Sequence, residues 1–188
     1  MSRVAGMTDT ARAQRFAALA LPHLDAAYGF ARRLTRNDSE AQDVAQEAFL
    51  RAWRYFETFH GQDARPWLLT IVRNTFMSLR RARGAPMAGL EDADVALDEA
   101  LAGTEALAAP PVTPEKALLA ADAKRSVMAA LDALPVAARE VLVLRELEEL
   151  SYKHIATILD VPIGTVMSRL ARARAALAAE IRRRAEDD

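Results

Sequence analysis

Thr165, Ser168, Arg169 and Arg172 recur at helical spacing just after Pro162 and Gly164, and their hydroxyl and guanidinium groups suit the base edges and phosphates of a DNA groove. A second set, Arg73, Asn74, Arg80, Arg81 and Arg83, combines four cations, which at a helix end also simply complement the dipole, with one amide able both to donate and to accept. A third set, Asp43, Gln46, Glu47, Arg51 and Arg54, places acid and base three and four residues apart, suited to a charged partner helix and equally to a solvated edge. Catalytic chemistry has no comparable residues. There is no cysteine, His23, His60 and His154 lack partners at metal-ligand spacing, and neither a phosphate-cradling glycine loop nor a nucleophile elbow occurs. The expectation is therefore no enzyme, no metal and no cofactor.

The element that presents the first set reads as a helix-turn-helix. Ser151 caps a short first helix, Pro162 and Gly164 punctuate the turn, and helical periodicity restarts at Thr165. Ile155, Ala156, Leu159, Val161, Val166, Leu170, Ala173 and Leu177 close its core, leaving Thr165, Ser168, Arg169 and Arg172 on the opposite face. The third set rides on a helix begun by Asn37-Asp38-Ser39, with Gln42 completing a capping box from Ser39 and an apolar stripe from Ala41 to Phe56. An earlier helix or helix pair over Phe16–Tyr28 is bent or restarted by Pro22. His60-Gly61-Gln62-Asp63 breaks the chain, Pro66 opens a helix through Trp67, Leu68, Ile71 and Val72, and a further helix starts near Thr75. Phe56, Phe59 and Trp67 fall on apolar stripes and are assigned to the core.

The whole is all-α, in two small helical domains joined by a flexible linker. The expected boundaries are an N-terminal tail 1–15, a first domain 16–84, an acidic Pro/Ala-rich linker 85–115, a second domain 116–182, and a tail 183–188. Net charge is −1, but it is unevenly spread. Residues 1–84 carry 13 Arg against 8 acids, residues 85–123 carry 1 Lys against 8 acids, and residues 124–188 carry 11 basic against 10 acidic groups. An acidic middle thus masks a basic first segment, and local charge is what meets nucleic acid. No signal-like or membrane-spanning apolar run occurs, which points to a cytoplasmic protein.

In order along the chain, Asp43-Val44-Ala45-Gln46-Glu47-Ala48-Phe49-Leu50-Arg51-Ala52-Trp53-Arg54, then Trp67-Leu68-Leu69-Thr70-Ile71-Val72-Arg73-Asn74-Thr75, then Ala133-Leu134-Pro135 and the helix-turn-helix, resemble the extracytoplasmic-function (ECF) sigma factors of bacterial RNA polymerase. The resemblance covers roughly residues 16–83 and 116–182. It implies an alternative, stress-response-type sigma factor carrying sigma regions 2 and 4, which binds core polymerase through the β′ clamp helices and the β subunit. On that likeness, Asp43, Gln46, Glu47, Arg51 and Arg54 contact core. Arg73, Asn74, Arg80, Arg81 and Arg83 engage the −10 element, with a base flipped into a pocket formed by a loop around Asn74. Thr165, Met167, Ser168, Arg169, Ala171 and Arg172 read the −35 element. Family members often carry a basic residue where this chain has Met167, which shifts the −35 preference toward apolar contact. The likeness also implies an anti-sigma factor as partner.

A relaxed 30-residue linker spans about 30 Å, and an extended one at most about 100 Å. Promoter elements two helical turns apart lie roughly 70 Å from one another. The linker is therefore expected to be stretched or held by polymerase. Two alternatives compete: a stand-alone helix-turn-helix regulator, which has no need of the Asp43–Arg54 edge, and a sigma-mimic interaction protein, which has no need of Arg80, Arg81 and Arg172.

Overall fold

The computed structural model describes residues 9–61, 63–84 and 114–187, and among these every regular element is helical. The acidic linker falls almost wholly outside the described residues, as does most of the expected N-terminal tail. The first unit comprises α1 (Asp9–Ala20), α2 (Leu24–Thr35), α3 (Asp38–Tyr55) and α4 (Ala64–Ala82). The second comprises α5 (Pro114–Ala133), α6 (Val136–Leu142), α7 (Tyr152–Leu159) and α8 (Ile163–Asp187). Helix therefore extends further than the expected tails allow at both ends, from Asp9 and to Asp187.

Local chemistry explains the boundaries. Pro22 sits in a single 3-10 turn, Leu21–His23, that separates α1 from α2. The cap of α3 is Asn37, whose side chain accepts from Glu40 N–H at 3.0 Å, so the expected Ser39–Gln42 box is displaced by two residues. Asn37 adopts extended backbone while Ser39 is already helical, and only an extended residue can turn its side chain onto the first free N–H groups. Asn37→Ala should lower the unfolding free energy by about 1 kcal/mol, measurable by urea denaturation.

Asp63 caps α4 in the same way. The expected break near Thr75 does not occur: α4 is one helix, because Leu68, Leu69, Val72, Phe76 and Met77 form a single buried stripe without a breaker. Gly61 leaves room for Phe59, whose ring would lie 2.9 Å from a Cβ there. Phe59 in turn packs on Trp67 at 4.7 Å between ring centroids, and Phe16 meets Phe56 edge-on at 5.2 Å.

In the second unit Ser151 caps α7, accepting from His154 N–H. The turn that follows is closed by Asp160 in the left-handed conformation (φ 55°). Val161 N–H donates to Ala156 O and Asp160 N–H to Thr157 O, the bonding pattern of a Schellman end. Gly164, expected in the turn, lies inside the first turn of α8, which starts at Ile163. Between α6 and α7 the backbone widens to a π turn, Val143–Leu147.

The two units pack directly on one another. Buried side chains from α2 and α4 (Phe30, Leu34, Leu68, Val72) and from the second unit (Leu131, Val141, Leu144, Ile158) belong to one continuous apolar core. α2 lies against α6 and α4 against α7.

Candidate nucleic-acid interface

The exposed edge of α3 carries Asp43, Gln46, Leu50 and Arg54, with Glu47 and Arg51 joined by a 2.7 Å ion pair one helical turn apart. Leu50 is 55% exposed, a large apolar side chain amid charges, and Tyr55 at the end of the helix is 54% exposed. The opposite stripe, Ala41, Val44, Ala45, Ala48 and Ala52, is buried. Small residues there let α2 and α4 approach closely and fix which edge faces outward. The five candidate core-binding residues are thus brought together on one outward edge.

The second set is divided. Asn74 is exposed in the middle of α4, on helix rather than in the expected loop. Arg81 and Arg83 are exposed near the C-terminus of α4, where cations also complement the helix dipole, and Arg83 pairs with Glu40 at 2.8 Å. Arg80 lies over the Phe76 ring at 6.0 Å. Arg73 points the other way. Its Nε donates to Glu140 Oε2 at 3.0 Å, with side chains 12% and 0% exposed, and its guanidinium also reaches the Ile158 carbonyl. Burial pushes the Glu140 carboxyl up, and Arg73 pulls it back only in part. In this arrangement Arg73 is closed off from any nucleic acid.

The third set lies along α8. Met167 is 55% exposed and Ala171 is exposed, while Thr165, Ser168 and Arg172 are half-buried. The Ser168 hydroxyl donates to Thr165 O, and Arg172 Nε lies 3.4 Å from Ser168 O, so both polar groups rest on their own helix. Arg169 departs from the expected outward face. It sits at the margin of the stripe Val166–Leu170–Ala173, close enough to Glu140 to hold down that carboxyl. Three residues along a helix from Val166 amount to about 300° of rotation, which returns Arg169 to the flank of the core.

Sequence reasoning passed over the residues that join the units. Arg33 grips the Asp132 carboxylate at 3.0 and 3.2 Å, Arg36 reaches the Asp132 carbonyl at 3.0 Å, and Arg65 pairs with Glu148. Arg139 and Glu140 are buried between apolar Ala138 and Val141. A charged pair interrupting an apolar helical run was the available signal. Among the described residues no cluster of potential metal ligands occurs, and no helix is long and apolar enough to cross a membrane.

Two family models match the chain, sigma-70 region 2 over residues 19–85 and sigma-70 region 4 over residues 124–177, which defines a sigma-70-type protein of two regions. The RNA polymerase sigma-H factor of Pseudomonas aeruginosa is 39% identical over 165 residues, covering 86% of this chain and 83% of that one. The ECF sigma factor SigW of Bacillus subtilis is 34% identical, with 84% of each chain covered. The ECF sigma-E factor of Escherichia coli is 35% identical over 73% of this chain and 72% of its own. Among solved structures, the sigma factor RpoE bound to the anti-sigma factor NepR from Bartonella quintana superposes with a TM-score of 0.65 at 29% identity, covering 90% of this chain and 98% of that one. CnrH in complex with the cytosolic domain of CnrY gives 0.55 at 25% identity, over 92% and 88%. The chain belongs to the extracytoplasmic-function sigma factors.

Proposed function

We propose that this protein is an alternative sigma factor that binds core RNA polymerase, selects promoters, opens them and starts transcription, with no catalytic step of its own. The observation that carries this reading is the near-full-length likeness to ECF sigma factors, with both regions present in order. The α3 edge from Asp43 to Arg54 is the docking surface for the polymerase clamp. Its exposed Leu50 supplies apolar contact and its charges supply register. Asn74, Arg80, Arg81 and Arg83 engage the −10 element, and Met167, Ser168, Ala171 and Arg172, flanked by Thr165 and Arg169, read the −35 element. Arg73 joins the −10 set only after the two units part, since Glu140 holds it otherwise. The site of action is the cytoplasm, where polymerase and promoter DNA meet.

An anti-sigma factor is the expected regulator, supported by the likeness to a sigma factor solved in complex with such a partner. A protein that favours the closed arrangement would keep Arg73 covered.

Asn74 gives the sharpest test of the −10 role. Asn74→Ala should retain core binding, read by co-purification with polymerase, while losing permanganate-reactive thymines around the −10 element. Equal loss of both would remove Asn74 from base recognition.

A further inference from the structure

Between the two units lies a partly open cavity of about 270 Å³ whose wall, among the described residues, carries four arginines, Arg36, Arg80, Arg83 and Arg139, and a single carboxylate, Glu40. Glu40 is already held by Arg83. Asp132, the neighbouring carboxylate, is held by Arg33. Arg36 Nη1 and Arg139 Nη1 converge on one neutral oxygen, the Asp132 carbonyl, at 3.0 and 3.3 Å.

Arg139 is the decisive group. It is 1% exposed, it lines the cavity, and its Nε has no hydrogen-bond partner. A guanidinium carries five donors, and an unmet donor on a buried cation is costly. Burial first, and then the nearby Arg36, Arg33 and Arg80, lower its pKa to about 10 despite the pull of Asp132. Among the described residues no carboxylate pairs directly with Arg139.

We propose that this cavity binds a compact phosphate-class oxyanion, which bridges Arg36 of the first unit to Arg139 of the second and so favours their closed packing. A tetrahedral anion offers several acceptor oxygens to several convergent guanidinium groups, the geometry in which arginine excels. Promoter DNA is the wrong shape for this space, because Arg139 is too deeply buried to meet a duplex backbone. An aromatic base is disfavoured as well, since Phe76 is 7% exposed and already capped by Arg80.

The test uses the full chain alone, without polymerase or DNA, so its failure leaves the sigma-factor reading untouched. Inorganic phosphate and glycerol 3-phosphate are titrated calorimetrically against sodium chloride at matched ionic strength, which separates free phosphate from a phosphomonoester. Because the chain has no cysteine, Gln42→Cys with Lys153→Cys allows a fluorescent pair to report closure of the units. At least one of the two phosphates should bind and raise the high-transfer population. Arg139→Met should abolish binding. Arg36→Asn, which suits the left-handed backbone at that helix end (φ 57°), should weaken it about tenfold or more even if the buried variant folds poorly. Heats no larger than those of chloride, or equal affinity in Arg36→Asn and the unaltered chain, would overturn the proposal.

Discussion

Glu140→Ala should part the two units, shifting the balance from closed to open by about two to three orders of magnitude. The expectation follows from the Arg73–Glu140 pair, whose side chains are 12% and 0% exposed. Removing one partner of a buried ion pair costs about 3–5 kcal/mol, because the other charge is left in a poorly polarisable surround. Arg73 has an escape: if α4 and α7 separate, it regains water. Opening is therefore the cheaper response, and it also exposes a cation assigned to the −10 strand. Small-angle scattering should show a larger radius of gyration for Glu140→Ala at equal helix content. The double replacement Arg73→Met with Glu140→Leu should restore compactness, since a well-packed apolar pair can substitute for a buried ion pair. Unchanged scattering for the single variant would mean that the apolar core between the units suffices without the pair.

Leu170→Ala should destabilise the second unit by about 2–5 kcal/mol, the usual range for emptying a leucine site in a packed core. Leu170 is 1% exposed and stands between Val166 and Ala173 on the inner stripe of α8, in the same core as Ile155 and Leu159 of α7. The stripe fixes the rotation of α8 about its axis, so emptying it blurs the position of Met167, Ala171 and Arg172 together. The −35 contact should vanish at temperatures where the first unit still holds polymerase. Urea denaturation should resolve an early loss of part of the helical signal, and co-purification with core should persist. A single late transition at the unaltered midpoint would contradict this placement of Leu170.

Much of the scaffold was legible because its signals are local. Apolar periodicity located α3 and α4, Pro22 marked the break between α1 and α2, and Ser151 marked the start of α7. Boundaries shifted where competing caps stood side by side, as with Asn37 and Ser39, or where a non-glycine residue took the left-handed turn, as Asp160 did. The outward edges of α3 and α8 could be read from helical geometry. What could not be read was the packing between units, because Arg73 meets Glu140 across 67 residues and Arg33 meets Asp132 across 99. Sequence spacing carries no record of such pairs. Arg73 and Arg169 looked like members of basic DNA faces because their partner, Glu140, lay hidden in an apolar run.

Run-off transcription with purified core polymerase on a promoter library shows whether this chain confers promoter choice on RNA polymerase. Discrete start sites that depend on the chain are expected, with Arg172→Ala weakening selection at one −35 position by about 1–3 kcal/mol. No start sites with core, together with tight binding of duplex DNA by the chain alone, would contradict this role and favour a stand-alone regulator.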